Sequence, residues 1–315
     1  MPPALPSIVA IFGPTASGKT AVAEALAARI PADVVSADSA ALYRDLPILT
    51  AAPPPGTALV GVFDLADEVS VGEFQHLAHD AIDAVVGAGR TALVVGGTGL
   101  YLRAALAGLE LPPPPEPGVR ERWARLYDRL GPDAAHELLA RRDPTAAARV
   151  HANDRRRVVR ALELAETGES LAPARDVLWT EETRHPTLVV GLEVPKEELD
   201  LRIERRTREM FEAGVVREVR AAVAAPLSAT ARKVMGLELI AAHGDDAYEP
   251  LVLATKRFAR YQRKWMRRIP GLVSVRADRS ADEVADAILA LGRPGQRVPA
   301  HRAGAERRQR PRSRG

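Results

Sequence analysis

The sequence "SIVAIFGPTASGKT", residues 7–20, contains residue types that bind phosphate groups, at the spacing that such binding needs. It matches the pattern G-x-x-x-x-G-K-[ST], in which glycines let backbone N–H groups converge on anionic oxygens. A hydrophobic strand precedes the pattern and an amphipathic helix follows it, so the helix N-terminus adds a favourable dipole. We therefore predict a loop that binds a diphosphate or a nucleotide. Its residues are Gly13, Pro14, Thr15, Ala16, Ser17, Gly18, Lys19 and Thr20.

The same loop predicts a magnesium ion. Lys19 neutralises phosphate charge, and the hydroxyl of Thr20 is the group that binds Mg²⁺ in such loops. The chain has no cysteine, which excludes disulfides, thiolate zinc sites and a cysteine nucleophile. Any metal must therefore be held by oxygen or imidazole ligands, and Mg²⁺ prefers oxygen.

The position of the acidic residues is unusual for a nucleotide hydrolase. ATPases generally need a carboxylate at the end of a later hydrophobic strand, but the strand "TALVVGGTGLY" ends in Gly96, Gly97 and Thr98. The nearest carboxylate is Asp38, just after a second short strand in "VVSADSAALY". At that end of a parallel strand it faces the ligand crevice, where it can take a proton from an acceptor. The alternative is that Asp38 caps the N-terminus of a helix.

Composition limits the class of protein. Of 315 residues, 46% are apolar and 27% charged, which is typical of a soluble globular protein with room for two cores. No window approaches eighteen apolar residues and the N-terminus lacks a signal-peptide pattern, so we expect a cytoplasmic protein.

Charge is unevenly distributed. The whole chain carries +3, but residues 293–315, with eight arginines and one glutamate, contribute +7 and leave −4 for residues 1–292. This tail has no apolar period and many helix breakers, so we predict that it is disordered. A non-specific attraction to nucleic acid is the alternative role.

Strand and helix patterns alternate from the start of the chain, which is typical of a parallel α/β sheet. Four strands are predicted: residues 8–12, a short strand that begins at Asp33, residues 90–97 and residues 187–194. Helices are predicted over residues 19–30 and 72–87. The proline run "LPPPPEPG" after residue 110 predicts a domain boundary. Residues from about 119 to 178 have helical patterns alone, and three helices are expected before Arg268. We predict a core of residues 1–110 and 187–292 and a helical insertion of residues 111–186.

Three clusters of basic residues indicate what kind of partner the protein binds. They lie in "HANDRRRVVRALEL", "LDLRIERRTREMFEAG" and "TKRFARYQRKWMRR". On a body that is acidic overall, such stripes suit a phosphate backbone, although solvated helix faces are the alternative. In the third cluster the aromatic residues are predicted to pack inward.

Taken in order, several segments resemble the tRNA dimethylallyltransferases, the family of bacterial isopentenyltransferases (IPP transferases). The resemblance runs from about Ile8 to Ile269 and rests on "GPTASGKT", "SADSAALYRDL", "LVVGGTGLYLRA", "DPTAAARVHANDRRRVVRALEL", "RIERRTREMFEAGVVREV", "RKVMGLELI" and "ATKRFARYQRKWMRR". Members of that family prenylate an adenosine beside the anticodon.

The resemblance implies a P-loop NTPase-like core with an all-helical insertion. It implies dimethylallyl diphosphate as donor, tRNA as acceptor, catalytic roles for Thr15, Asp38 and Arg206, and Arg202 facing the diphosphate with Arg206. The target base must leave its stack to reach Asp38. The positions that match tRNA contacts are Asp38, Ser39, Ala40, Ala41, Thr98, Arg120, Arg156, Arg157, Arg160 and Lys233. We expect a monomer without an obligate protein partner.

The sequence departs from the family pattern in the segments expected to contact tRNA. After Asp38 and Ser39 the family often has a glutamine, whereas Ala40 and Ala41 follow in this chain. Ala52 replaces a lysine, and Leu237 and Glu238 occupy positions where Tyr and a basic residue are typical. Two other functions stay open on the residues: prenylation of a free adenine nucleotide, and ATP use by a small-molecule kinase or a non-catalytic nucleotide-binding module.

Overall fold

A computed structural model describes residues 5–112, 118–172 and 178–292. Five strands form one parallel sheet in the order β2-β3-β1-β4-β5. They are β1 (Ile8–Phe12), β2 (Ala32–Ser36), β3 (Thr91–Gly96), β4 (Thr187–Glu193) and β5 (Val273–Arg276). This confirms the predicted α/β class and its four predicted strands. The predicted tail, residues 293–315, and most of the proline run lie outside the described residues.

Thirteen α-helices occur in the described ranges: α1 (Lys19–Ala27), α2 (Pro47–Thr50), α3 (Val71–Gly87), α4 (Gly99–Leu106), α5 (Val119–Leu130), α6 (Pro132–Arg142), α7 (Pro144–Ala147), α8 (Arg155–Glu166), α9 (Lys196–Glu212), α10 (Val215–Ala222), α11 (Leu237–His243), α12 (Tyr248–Met266) and α13 (Ala281–Leu291). The prediction of three helices between the fourth strand and Arg268 is wrong, because α9 to α12 are four. None of the described helices is long and apolar enough to cross a membrane.

The position of β1 at the centre of the sheet explains its sequence. All five residues of β1 are buried, and they pair with β3 on one side and β4 on the other. Alternate side chains point to opposite faces: Ile8, Ala10 and Phe12 join one apolar core, whereas Val9 and Ile11 join the other. A strand covered on both faces has this continuous apolar pattern.

The parallel pairing brings the ends of separate strands to one edge. Phe12 of β1 is aligned with Gly96 of β3 and Gly191 of β4, and β2 lies beside β3. The loop after β1, the turn after β2 and the loop after β3 therefore meet at the carboxyl edge of the sheet, which is where open α/β sheets bind ligands.

Helices α5 to α8 enclose an apolar cluster of their own. Trp123, Tyr127, Leu139 and Leu162 are buried in it, and the hydroxyl of Tyr127 donates a hydrogen bond to the carbonyl of Ala152 at 2.7 Å. A separate core is what an inserted helical domain needs. This cluster supports the predicted insertion, whose bounds of 111 and 186 stay a prediction.

Gly96 is the point where β3 touches the chain segment that leads to Asp38. A Cβ atom built on Gly96 would overlap the carbonyl oxygen of Ala37 and lie 2.9 Å from its carbonyl carbon. Real Cβ atoms do not approach backbone atoms so closely, so one of the two segments would have to move. Glycine at this position therefore allows β2 and β3 to end side by side.

We expect Gly96→Ala to destabilise the fold by about 1–3 kcal/mol, the usual cost of overpacking a buried position. Urea unfolding followed by circular dichroism measures the change. Gly87→Ala is the matched control, because Gly87 is exposed at the end of α3 and a Cβ there meets no atom within 4 Å. Equal unfolding midpoints for the two variants would contradict the proposed backbone contact.

Candidate active site

A cavity of about 1480 Å³ opens at the carboxyl edge of the sheet. The segments that follow β1, β2 and β3 form one part of its wall, and α9 and α12 form another part. Residues of α5 and α8 also face the cavity. The predicted site residues that line it are Thr15, Ala16, Lys19, Thr20, Asp38, Ser39, Ala40, Ala41, Thr98, Arg120, Arg156, Arg160, Arg206 and Lys233. Residues predicted from widely separated motifs thus share one cavity.

The backbone of the loop after β1 has the shape of an anion-binding loop. Gly18 (φ +88°) and Ala16 (φ +62°) both lie in the left-handed region. Gly18 directly precedes α1, whose first turn has no side-chain cap, so the amides of that turn are available to an anion. A Cβ on Gly13 would lie 2.5 Å from the hydroxyl of Ser17, which is buried and has no hydrogen-bond partner among the described residues.

Lys19 and Arg206 bring two positive charges to this loop. The amine of Lys19 donates to the carbonyl of Pro14 at 2.9 Å. Burial lowers the pKa of Lys19 to about 8, an effect that Asp38 opposes and that the nearby charge of Arg206 reinforces. Burial also lowers the pKa of Arg206, again against the influence of Asp38. Both cations would therefore gain from a bound anion.

Arg206, on α9, is held against Thr15. Its Nη1 donates to the hydroxyl of Thr15 at 2.8 Å, and its Nη2 donates to the carbonyl of Thr50 at 3.4 Å. The buried Nε has no hydrogen-bond partner within the described ranges. A hydroxyl that accepts from a guanidinium keeps its own proton for another acceptor, so Thr15 can donate to a ligand oxygen.

Asp38 is half-buried on the wall facing these cations. Its Oδ1 accepts a hydrogen bond from the amide of Ala40 at 3.0 Å. Residues 39–42 form turns, so the alternative that Asp38 caps a helix is wrong: its side chain closes a turn instead. Next to it, burial together with the charges of Tyr43 and Asp38 raises the pKa of Tyr101 to about 12.

A second group of cations lies on the opposite wall. Arg120 and Arg160 both contact the buried carboxylate of Glu163, at 2.9 and 3.0 Å. The pKa of Lys233 is lowered by burial and by the neighbouring charge of Arg156. These cations come from α5, α8 and the turn before α11, so the helical segment and the sheet both contribute charge to the cavity.

Six predicted site residues do not line the cavity: Gly13, Pro14, Ser17 and Gly18 of the phosphate-binding loop, and Arg157 and Arg202. Arg202 does not reach the phosphate-binding loop, because Glu198, one turn earlier on α9, binds its Nε at 2.7 Å and the carbonyl of Ala277 binds its Nη1 at 3.1 Å. Arg157 is exposed on α8 and is not among the residues that line the cavity. The predicted contacts of Arg202 with diphosphate and of Arg157 with tRNA stay predictions.

Comparison with known proteins shows the family of this chain. The model of the IPP transferase family matches residues 41–269, and that of isopentenyl transferases matches residues 6–57. The chain belongs to the IPP transferase family. It is 41% identical over 284 residues to the tRNA dimethylallyltransferases of Streptomyces coelicolor (85% of this chain, 89% of the relative) and Kineococcus radiotolerans (84% and 88%).

Solved structures of the family have the same fold. The full-length tRNA isopentenylpyrophosphate transferase of Bacillus halodurans is 28% identical, with a TM-score of 0.65 over 90% of this chain and 94% of that one. A eukaryotic dimethylallyltransferase is 23% identical with a TM-score of 0.72, over 92% of this chain and 81% of that one, and shares its fold. The P-loop NTPase-like core predicted for this IPP transferase is thereby confirmed.

Gln262 is a site residue that sequence reasoning missed. It is buried on α12, and its Oε1 accepts from the amide of Thr15 at 2.8 Å while its Nε2 donates to the carbonyl of Gly97 at 2.9 Å. The carboxamide thus joins the loop after β1 to the loop after β3. The one available signal was a lone amide within the basic cluster "TKRFARYQRKWMRR".

Gln262→Met should weaken the binding of inorganic diphosphate about 5- to 20-fold, because the loss of both hydrogen bonds leaves the loop less ordered. Isothermal titration calorimetry in the presence of Mg²⁺ measures the affinity. Gln75→Met is a matched control, since Gln75 is equally buried and its carboxamide binds both the amide and the carbonyl of Leu109 at 3.1 Å. Unchanged affinity in Gln262→Met would exclude an effect on the loop.

Proposed function

We propose that this protein transfers a dimethylallyl group from dimethylallyl diphosphate to the N6 amine of an adenosine next to the anticodon in tRNA, and releases diphosphate. The observation that carries the proposal is that Thr15, Lys19 and Arg206 face Asp38 across one cavity, in a member of the IPP transferase family. Anion-binding groups and a general base within the same cavity suit an alkyl transfer with a diphosphate leaving group.

The leaving group is stabilised by groups that are already in place. The amides at the start of α1, with Lys19 and Arg206, oppose the charge that develops on the departing diphosphate. Thr15, which accepts from Arg206, donates its own proton to an oxygen of the diphosphate. Gln262 fixes the Thr15 amide and acts as a positioning residue.

A magnesium ion fits the residues at this end of the cavity. The hydroxyl of Thr20 is exposed and lines the cavity beside Lys19. The described residues contain no cluster of three or more imidazole or carboxylate groups, and Mg²⁺ in phosphate sites is held by one or two protein oxygens and the phosphates. When bound, the ion supplies further neutralisation of the diphosphate charge.

Asp38 activates the acceptor. The exocyclic amine of adenine is a weak nucleophile because its lone pair is delocalised into the ring, so removal of a proton as the C–N bond forms lowers the barrier. The hydrogen bond from Ala40 fixes Oδ1 of Asp38 and leaves Oδ2 for the amine. The adenosine must be flipped out of its stack to enter the cavity.

The acceptor is an RNA because the second wall carries cations that a small nucleotide does not need. Arg120, Arg156, Arg160 and Lys233 suit several phosphates, not one. All of the proposed groups come from one chain, so we propose a monomer, and the family's tRNA substrate implies a cytoplasmic enzyme. Incubation with labelled dimethylallyl diphosphate and total tRNA, followed by nucleoside analysis, tests the reaction.

Assays with different substrates distinguish the proposed function from two competing ones. If AMP is prenylated and the anticodon stem-loop is not in a competition assay, the acceptor is a free nucleotide and not tRNA. If ATP is consumed while RNA remains unmodified in the presence of the prenyl donor, the protein is a phosphoryl-transfer enzyme and the proposal is wrong.

We expect Asp38→Asn to lower the rate of prenyl transfer about 10²- to 10⁴-fold, because an amide cannot take the proton. The Asn side chain keeps the oxygen that accepts from Ala40, so the affinity for RNA and for the donor should stay close to that of the wild type. Single-turnover kinetics and RNA-binding titrations measure the two effects. A rate equal to that of the wild type would rule out Asp38 as the base.

The pH dependence follows from Lys19. Because the pKa of Lys19 in the free protein is about 8, its charge is present below that pH and is lost as the pH rises through it. We therefore expect kcat/KM for dimethylallyl diphosphate to fall about tenfold per pH unit above pH 8. The kcat value should fall less, since bound diphosphate stabilises the charged amine.

Lys19→Arg is the control for this profile, because a guanidinium stays charged throughout. It should lack the alkaline decline, whatever its absolute rate. A wild-type kcat/KM that is flat between about pH 7 and about pH 9.5 would show that Lys19 does not titrate in the free enzyme.

A further inference from the structure

Tyr261 is an exposed aromatic side chain at the edge of the cavity. It lies on α12, lines the cavity, and is 55% exposed. Its ring makes no aromatic contact and its hydroxyl no hydrogen bond with the described residues. The prediction that it packs inward is wrong. By contrast, the ring of Trp265, one turn later, packs on that of Trp179 at 5.0 Å.

Cations flank Tyr261 on the same face of the helix. Arg257 precedes it by four residues and Lys264 follows it by three, so both side chains lie next to the ring. Both are exposed, and neither forms an ion pair or hydrogen bond with a described residue. Lys256, which points elsewhere on α12, pairs with Glu204 at 2.5 Å. Arg257 and Lys264 are therefore available to an external anion.

The backbone position of Tyr261 is fixed relative to the phosphate-binding loop. Gln262 follows it directly and bonds to the Thr15 amide, so the backbone of Tyr261 lies one residue from a contact with the phosphate-binding loop. Consecutive Cα atoms are about 3.8 Å apart. A ligand on the exposed face of Tyr261 would thus sit at the edge of the cavity that we propose receives the adenosine.

An exposed aromatic ring between two free cations is the arrangement that binds single-stranded nucleic acid. Bases stack on the ring whatever their identity, and the cations bind the phosphates. Flipping the adenosine also breaks a stack, which leaves the face of the adjacent base uncovered. Tyr261 offers that base a new surface on which to stack.

We propose that Tyr261 is a stacking platform for the nucleotide next to the flipped adenosine, and that Arg257 and Lys264 bind the phosphates beside it. This inference rests on the proposed function, since it takes RNA as the acceptor. The platform sets the affinity for RNA and does not take part in the chemical step.

The test compares Tyr261→Ala and Tyr261→Phe with the wild type, using a labelled anticodon stem-loop and fluorescence anisotropy without prenyl donor. We expect Tyr261→Ala to raise the Kd for RNA about 5- to 100-fold, and Tyr261→Phe to retain most of the affinity, because stacking needs the ring and not the hydroxyl. The KM for dimethylallyl diphosphate and the melting temperature should stay unchanged in both.

Leu253→Ala is the matched control. Leu253 is 53% exposed on the same helix but does not line the cavity, so its removal should leave the Kd for RNA unchanged. Arg257→Gln and Lys264→Gln should each weaken RNA binding and lower the slope of log Kd against log salt by about 0.7.

The inference is wrong if Tyr261→Ala binds RNA as tightly as the wild type. It is also wrong if the variant loses RNA affinity, donor affinity and melting temperature together, because Tyr261 would then be a structural residue. The proposed function is tested separately by prenyl transfer in the wild type. A Kd effect in Tyr261→Ala with no prenylation by the wild type would retain the platform and reject the reaction.

Discussion

The site depends on two buried positive charges, those of Lys19 and Arg206, that are held close together. Burial disfavours the charged forms of both Lys19 and Arg206, and the charge of Arg206 further lowers the pKa of Lys19. Asp38 opposes this effect at both groups and Glu209 opposes it at Arg206, but burial remains the largest influence on each pKa. In the free protein the charged forms of these two side chains are therefore electrostatically unfavourable, and a bound diphosphate would relieve this. The folded protein thus places the cations for diphosphate before the ligand binds.

This arrangement requires loops from distant parts of the chain to be fixed against one another. Thr15 illustrates how: its amide is bound by Gln262 of α12, and its hydroxyl by Arg206 of α9. Neither helix belongs to the strand–loop–helix unit that forms the phosphate-binding loop. The position of the α2 segment is fixed in a similar way, since the carboxylate of Glu218 accepts from the amides of Ile48 and Leu49 at 2.7 and 2.8 Å. The loop is thus held by the whole core, not by its own sequence alone.

Features with a local sequence pattern could be predicted, and those that depend on distant contacts could not. Residues 13–20 were predictable because glycine spacing, strand and helix are contiguous in sequence, and Asp38 because it follows a buried strand. Gln262 was not predictable, since its two partners lie far away in the chain. Arg202 was predicted to face the diphosphate because it precedes Arg206 by one turn, but Glu198 binds it first. The edge strand β5 has four residues and one buried position, too few for a recognisable period.

The central place of β1 also affects how the chain is made. It leaves the ribosome before the other four described strands, yet one of its two neighbours, β4, begins only at Thr187. At a synthesis rate of about 5–20 residues per second, this apolar strand waits on the order of 10–40 s for its second partner. During that time, the nascent polypeptide exposes a segment prone to aggregation, which chaperones would have to shield. The first strand to be synthesised is among the last to be enclosed.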